Sequence, residues 1–511
     1  MRAAALAVVV LVSGAAPQVT AAQAAPARVE PVEIAEVGLL GTPQVPADRV
    51  RVGRALAAQN GPAAREEVSG YSRLDSEVFA PAVGQRPYES AAVTPVEGYG
   101  VVDAAGVRMF AVSGTNFNHP VGQAQYALAN LNSHRLTGNP AYLRIAVTNA
   151  ERLLERRVES ADAWYFPYEF DFALYGNRNM MMRAPWYSAM AQGQVLSTFV
   201  RLHEVTGDER WRSAAEATFR SLTYLPAGDL PYVTFVDGTR LWLEEYPRGL
   251  ADLGEQVFNG HNFAVYGLID YWALTADPTA ADLIRGAAAT IKDTGLTGFR
   301  KPRALSLYAL TSTTQNAKYH QIHVEQALHL WGFTRDPVFL AVASAFRDDY
   351  PLPTVGGTMR ATRRTSTIYQ VDSAMRVVRS KEVSFSRDTQ APADRRQRVT
   401  GGPVAFRVTA GSYKNWWFPE GVGTTWLLGA KDVHEYRPQA RVQIAAGGYS
   451  AYRLDAAGGV AGAKTVSFTR ATSAPAVRSG IVQGRQAYYF AVGAFAGHWL
   501  PAGPRLALSG P

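Results

Sequence analysis

Leu136-Thr137-Gly138-Asn139-Pro140 recurs in altered form three more times along this chain. The echoes are Val205-Thr206-Gly207-Asp208, Leu274-Thr275-Ala276-Asp277-Pro278 and Phe333-Thr334-Arg335-Asp336-Pro337. In each, an apolar helical run stops and an Asn or Asp stands ready to cap the next helix. Pro takes the first helical position in three of the four, where its missing N–H costs nothing. Each mark therefore reads as the tight turn of a helical hairpin. The threonines at 137, 206, 275 and 334 are 69, 69 and 59 residues apart, so the repeating unit is two helices plus a long return connection.

The two helices of a unit differ in kind. Trp211, Ala214, Ala215, Phe219 and Leu222 form one apolar stripe with Arg212, Glu216 and Arg220 opposite, as an amphipathic outer helix requires. Phe263-Ala264-Val265-Tyr266-Gly267-Leu268-Ile269 is apolar nearly all round, as a helix packed on both sides would be. Four such hairpins between 95 and 352 predict an incomplete (α/α) barrel; a superhelical repeat array is the other arrangement of the same units. After Tyr350 the pattern becomes short runs such as Val404-Ala405-Phe406-Arg407-Val408 and Tyr488-Tyr489-Phe490-Ala491-Val492, broken by Gly, Pro and Ser. Residues 356–511 therefore read as an antiparallel β-sandwich. In that region Trp416, Trp417 and Phe418 fit a core better than a sugar-stacking surface.

The 511 residues are 47% hydrophobic and 18% charged, enough to bury large cores in two or three domains. Arg2, the apolar run Ala3 to Val12 and the small residues ending Ala22-Gln23-Ala24 predict a secretory signal over 1–24, hence a secreted or cell-surface protein. The run is too short to span a bilayer, which takes ~20 apolar residues, and no later segment qualifies. Residues 25–94, rich in Ala, Pro and Gly, read as an irregular arm. There is no cysteine, which excludes disulfides and thiolate chemistry. A net charge of +8 fits an acidic polysaccharide as partner, or simply an Arg-rich composition. No phosphate-binding loop, dinucleotide fingerprint or G-x-S-x-G is present, so no cofactor, no metal and no nucleic acid is expected.

Polar and aromatic residues collect in the connections that lead into the first helix of each hairpin. Asn116 to Pro120, Trp164 to Glu169, Arg183 to Ser188, Glu244-Glu245-Tyr246, Asn259 to Asn262, Ser306 to Tyr308 and Tyr319-His320 all lie there. In a helical-hairpin barrel those connections share one mouth, so the candidates include Arg183, Tyr187, Gln192, Gln194, Asn259, His320 and His323. His320 and His323 make H-x-x-H, which lacks the i, i+4 spacing and the Glu of a zinc helix; a hydrogen bond to a substrate carboxylate suits them better. The adjacent carboxylates and phenol of Glu244-Glu245-Tyr246 offer an acid and a base.

At these clusters the sequence resembles the D-glucuronyl C5-epimerase family, in its C-terminal helical domain. The resemblance rests on Ala184-Pro185-Trp186-Tyr187-Ser188-Ala189-Met190-Ala191-Gln192-Gly193-Gln194, Glu244-Glu245-Tyr246-Pro247, Asn259-Gly260, Ser306-Leu307-Tyr308 and Tyr319-His320-Gln321-Ile322-His323. It implies an (α/α) barrel that inverts C5 of glucuronate in a heparan-type polymer. It also implies Glu245, Tyr246, Tyr308 and Tyr319 as catalytic residues, with Glu245 and Tyr319 carrying the proton. The chain departs from the family's pattern at Ala309, where Asp is usual, and at Thr311, where Arg is common. The cation that holds the substrate carboxylate is thus left for Arg183, His320 or His323. A uronate lyase makes the same carbanion, and a non-catalytic polysaccharide-binding protein is the alternative from another class.

Overall fold

The computed structural model describes residues 6–7, 33–34, 65–95, 100–112, 114–249, 252–351 and 355–510. The predicted signal peptide, apart from residues 6 and 7, lies outside the described residues, as do most of the arm up to residue 64 and the inter-domain stretch 352–354. The chain divides into two compact units, one of residues 1–293 with 309–313 and one of 294–308 with 314–511.

Eight α-helices are described: α1 (Pro120–Thr137), α2 (Pro140–Arg156), α3 (Ala189–Thr206), α4 (Glu209–Arg220), α5 (Phe258–Thr275), α6 (Pro278–Thr294), α7 (Ala317–Thr334) and α8 (Val338–Asp349). They pair as four hairpins across the four threonine marks. The threonine has a double task in every mark. Its hydroxyl donates to the carbonyl four residues back, Ser133, Leu202, Tyr271 or Leu330, at 2.6–2.8 Å. The same oxygen accepts the N–H two residues on, at 3.2–3.3 Å. That N–H belongs to Asn139, Asp208, Asp277 or Asp336, whose side chain in turn accepts from a backbone N–H in the first turn of the next helix. Orphan groups at both helix ends are thus satisfied by two side chains standing two residues apart.

Between the two lies a residue in the left-handed region, with φ of 68° at Gly138, 68° at Gly207, 54° at Ala276 and 59° at Arg335. Only glycine holds that conformation without a Cβ clash. Ala276→Gly is therefore expected to stabilise the protein by about 0.5–1 kcal/mol, read as a higher denaturant midpoint at unchanged slope. Gly138→Ala should shift it down by a similar amount.

In the first unit the helices preceding the marks are buried around their whole circumference. Residues 189–202 of α3 and 258–271 of α5 are all buried, whereas α4 buries only Trp211, Ala214, Ala215, Thr218 and Phe219. Helices α3 and α5 touch backbone to backbone. A Cβ on Gly193 would fall 2.4 Å from the Ala264 Cα, and one on Gly267 2.2 Å from the Gly193 carbonyl oxygen. A buried ion pair ties the same two helices, Arg201 to Asp270 at 2.9 Å, with both side chains almost fully enclosed. The described part of the arm lies against this unit. Arg65 donates to Tyr165 Oη and the Pro231 carbonyl, and Arg86 pairs with Glu204 and Glu89.

Short two-stranded ribbons fill the return connections: β1 (Phe110–Val112) with β2 (Thr115–Phe117), β3 (Val158–Ser160) with β4 (Ala163–Tyr165), β5 (Phe172–Ala173) with β6 (Met181–Met182), and β7 (Thr234–Asp237) with β8 (Arg240–Leu243). The last of these delivers Glu244-Glu245-Tyr246 directly off the end of β8.

The second unit holds α7, α8 and two seven-stranded antiparallel sheets. The first sheet contains β9 (Gly357–Ala361), β10 (Thr365–Val371), β11 (Val377–Ser384), β12 (Thr389–Arg398), β13 (Val404–Val408), β14 (Trp417–Pro419) and β15 (Thr425–Leu427). The second contains β16 (Lys431–Ile444), β17 (Gly447–Leu454), β18 (Val460–Phe468), β19 (Thr472–Val482), β20 (Arg485–Phe490), β21 (His498–Pro501) and β22 (Leu506–Ser509). The strand orders are β11-β10-β14-β13-β12-β9-β15 and β18-β17-β21-β20-β19-β16-β22. These are one topology written twice.

Registers agree as well as order. Tyr369 faces Trp417 in the first sheet and Tyr452 faces Trp499 in the second, and a bulge follows Gln370 and Arg453 alike. Sequence echoes match: Lys381-Glu382-Val383-Ser384-Phe385-Ser386-Arg387 returns as Lys464-Thr465-Val466-Ser467-Phe468-Thr469-Arg470. The predicted β region is therefore a tandem repeat, a feature absent from the sequence expectation. Met359, Ala361, Ile368, Phe406, Phe418 and Trp416 belong to a core cluster of the first sheet, so Trp416 and Phe418 pack inside, as does Trp417 on the opposite face.

Candidate active site

The two adjacent carboxylates of the first unit do different things. Glu244 is fully buried, and its oxygens accept from the backbone N–H of Tyr246 at 2.9 Å and of Gln256 at 2.8 Å. Burial lifts its carboxyl to about 7, against the pull of those N–H groups. Its own backbone bonds Val233 and caps α3 through the Ala189 N–H. Glu244 is thus a brace that locks β8, α3 and the lead-in to α5 together.

Glu245, the next residue, points the other way. Its Oε2 accepts from Asn259 Nδ2 at 3.3 Å and lies against Gly260, where a Cβ would come within 2.3 Å of it. Asn259 and Gly260 lie in the first turn of α5, so the carboxylate rests at the positive end of a helix dipole. The only residue type that leaves room for it is glycine.

Aromatic rings wall this corner. The Tyr246 ring stacks on Phe172 at 6.0 Å and lies 6.0 Å from Trp186, and Trp186 stacks face to face on Tyr168 at 3.8 Å. Burial, then the Glu245 charge, raises the Tyr168 phenol well above its ordinary value. Behind them sits Glu255, fully buried, taking hydrogen bonds from Tyr175 Oη at 3.0 Å and Thr311 Oγ1 at 2.6 Å and an ion pair from Arg248 at 2.7 Å. Tyr175 is a non-glycine residue at φ 55°, a strained conformation that the Glu255 bond helps to hold. Thr311 is thus bonded to Glu255, whose ion-pair partner among the described residues is Arg248.

In the second unit Tyr308 and Tyr319 meet edge to face, ring centres 4.7 Å apart. Lys318 Nζ stands 5.8 Å over the Tyr319 ring. It is buried and has no hydrogen-bond partner among the described residues, and burial alone pushes its ammonium down to about 8. His320 and His323 support this corner. The Ser306 N–H donates to His320 Nδ1 at 2.8 Å, which puts the proton on Nε2, and Nε2 reaches the Phe346 carbonyl at 2.8 Å. His323 Nδ1 lies 2.8 Å from Ser306 Oγ. Burial lowers both imidazoles, His323 strongly. The H-x-x-H pair therefore braces the Ser306 loop as neutral rings.

Three of the remaining sequence candidates have partners within the first unit. Gln192 is buried and bridges the Phe166 N–H, the Trp164 carbonyl and Ser221, while Gln194 is buried within α3. Tyr187 stands edge-on to Tyr165 at 5.6 Å, its phenol raised by burial. Arg183 is exposed and pairs with Asp171 at 2.5 Å. The structure thus gathers Glu245, Tyr246 and Asn259 in the first unit, and Tyr308, Tyr319 and the two histidines in the second.

Residues 160–348 match the D-glucuronyl C5-epimerase C-terminus family. That matched segment contains every one of the candidates above, from Arg183 to His323. Among solved structures, the chain is similar to a cellobiose 2-epimerase from Bacillus thermoamylovorans B4167 at 14% identity, covering 45% of this chain and 59% of that one with a TM-score of 0.34. An unsaturated glucuronyl hydrolase from Streptococcus agalactiae is 14% identical over 44% and 56%, with a TM-score of 0.31. The Lin0763 protein from Listeria innocua is 12% identical over 45% and 57%, also at 0.31. The chain spans less than two thirds of the length of each. Within the matched segment, sequence reasoning passed over Lys318, Arg248 and Tyr175. Lys318 had a visible signal, since it directly precedes Tyr319; the other two acquire meaning only through Glu255.

Proposed function

We propose that this protein is exported and inverts C5 of D-glucuronate residues to L-iduronate within a heparosan-like uronic-acid polysaccharide, on an incomplete (α/α) barrel. What carries the reading is the match of residues 160–348 to the C5-epimerase family, joined to a carboxylate, Glu245, held ready on a helix N-terminus against Gly260.

The C5 proton becomes removable only when the neighbouring carboxylate is neutralised while charge develops on its oxygens. Inversion then requires a base for one face and an acid for the other. Glu245 is the base and Tyr319 the acid, since a phenol with a reference pKa of about 10 is the protonated partner at neutral pH. Tyr246 adjoins Glu245 in the chain, Tyr308 meets Tyr319 edge to face, and Asn259 orients Glu245. The neutral state of His320 and His323 moves the cation role elsewhere. Lys318 suits it, because a buried ammonium without a partner is costly and an arriving carboxylate removes the cost.

The test is solvent exchange. Incubated with heparosan in deuterium oxide, the full-length protein is expected to place deuterium at C5 of the uronate and to yield iduronate without chain cleavage. Ultraviolet absorbance from an unsaturated uronate would assign a lyase instead, and binding without exchange would assign a non-catalytic protein.

A further inference from the structure

The net charge of +8 hides a segregation. Residues 356–511 hold 21 Lys and Arg against 8 Asp and Glu, a surplus of 13, so residues 1–355 carry a deficit of 5. The tandem β modules are strongly basic and the rest of the chain is mildly acidic. Genomic composition would raise both parts alike, so this asymmetry marks the modules as an electrostatic contact surface.

Many arginines of the modules are neutralised locally, Arg360 by Asp388, Arg376 by Asp372, Arg396 by Glu420 and Arg407 by Asp394. Others are not, and these repeat. Lys381 and Arg387, on and just after edge strand β11, correspond through the duplication to Lys464 and Arg470, on and just after edge strand β18. All four are exposed, and none forms an ion pair among the described residues.

The register explains how the lysine is presented. Lys381 faces the buried Ile368 and Lys464 the buried Ala451 across their strand pairs. Each lysine thus stands on the core side of its sheet, at the open edge. In the first module its ammonium lies 4.7 Å over the Trp416 ring and 5.1 Å over Tyr413, with the Arg379 guanidinium 5.7 Å over Trp416. Aromatic faces hold these cations in place while leaving them open to an anion. Charge on an edge strand also blocks sheet-to-sheet pairing, but either sign achieves that, whereas both modules keep the same basic residues.

We propose that the two module edges, Lys381 with Arg387 and Lys464 with Arg470, are tandem docking sites for an acidic polysaccharide chain, made of residues outside the family-matched segment 160–348. The choice of polysaccharide over other polyanions rests on the proposed function. Two equivalent weak sites on one chain raise the effective affinity for a long polymer over a short one, and release of the polymer's counterions makes the binding salt-dependent.

The full-length K381E/R387E/K464E/R470E protein tests this. Its affinity for immobilised heparosan is expected to fall at least tenfold at low salt, with a flatter dependence on salt, while C5 deuterium exchange on a short uronate oligosaccharide stays unchanged. Thermal unfolding reports whether the fold survives, and K381E/R387E alone, expected to lose about half of the effect on a logarithmic scale, serves if it does not. Unaltered heparosan affinity in a folded variant overturns the proposal. So does a variant that keeps heparosan but loses anionic phospholipid vesicles, which would assign the edges to a membrane surface. Wild-type protein that binds heparosan through these residues without exchanging deuterium would leave the docking sites standing and remove the epimerase reading alone.

Discussion

Glu245→Gln is expected to reduce C5 proton exchange by about 10²–10⁴-fold, the usual contribution of a positioned general base, while the unfolding midpoint barely moves. The amide matches the carboxylate in shape, and its oxygen can still accept from Asn259 Nδ2. What it loses is basicity. Gly260→Ala should reach a similar end by a different route. Its methyl would need the space 2.3 Å from Glu245 Oε2, so the carboxylate must swing off the helix N-terminus, and a displacement on the order of 1 Å costs roughly 10²-fold. Tyr319→Phe removes the paired proton and should abolish exchange as well. Exchange at the wild-type rate in Glu245→Gln would take that residue out of the mechanism. A Gly260→Ala protein with full activity would show that the observed seat of the carboxylate is not the working one.

The largest effect on stability is expected at Arg201. It joins α3 to α5 through Asp270 at 2.9 Å and also donates to the Pro87 carbonyl of the arm at 2.8 Å. Arg201→Ala strands a carboxylate that has almost no contact with water, at a cost of about 3–5 kcal/mol. Chemical denaturation should therefore begin at much lower denaturant. The double replacement Arg201→Met with Asp270→Leu removes both charges and is expected to recover most of the loss, since paired buried ions contribute little net stability over apolar groups of like volume. A single variant as stable as the wild type would mean that Arg86, 3.9 Å from Asp270, already suffices as its partner.

The helical hairpins were legible because their signal is local. Thr206 closes α3 and aligns Asp208 through two bonds within seven residues, so the same letters must recur wherever the same turn recurs. Glu245 and Tyr246 were legible as part of a polar and aromatic cluster, and buried Trp417 was legible as core. The division of labour between Glu244 and Glu245 was not, because adjacent carboxylates differ only in which one meets the N–H groups of Tyr246 and Gln256. Nor was the neutrality of His320, which depends on a donor at Ser306 fourteen positions away. The duplicated β modules escaped notice for a related reason. A strand fixes only alternate positions toward its core, so two copies of one topology keep few letters in common, here chiefly the Lys-x-Val-Ser-Phe run and the Tyr and Trp that face each other.

That duplication bears on how the chain reaches its native state. Six of the seven strands of the first module have a counterpart one residue longer in the second, β9 and β16 being the exception, so a growing chain offers two berths for similar strands, the usual setting for domain swapping and misassembly. The order of the strands answers it. β15 completes the first module at Leu427 before β16 begins the second at Lys431, and neither sheet borrows a strand from the other. At ~5–20 residues per second of synthesis, an offset of 83 residues between Lys381 and Lys464 delays the second copy by roughly 4–17 s. The first sheet has that interval in which to close before its competitor leaves the ribosome.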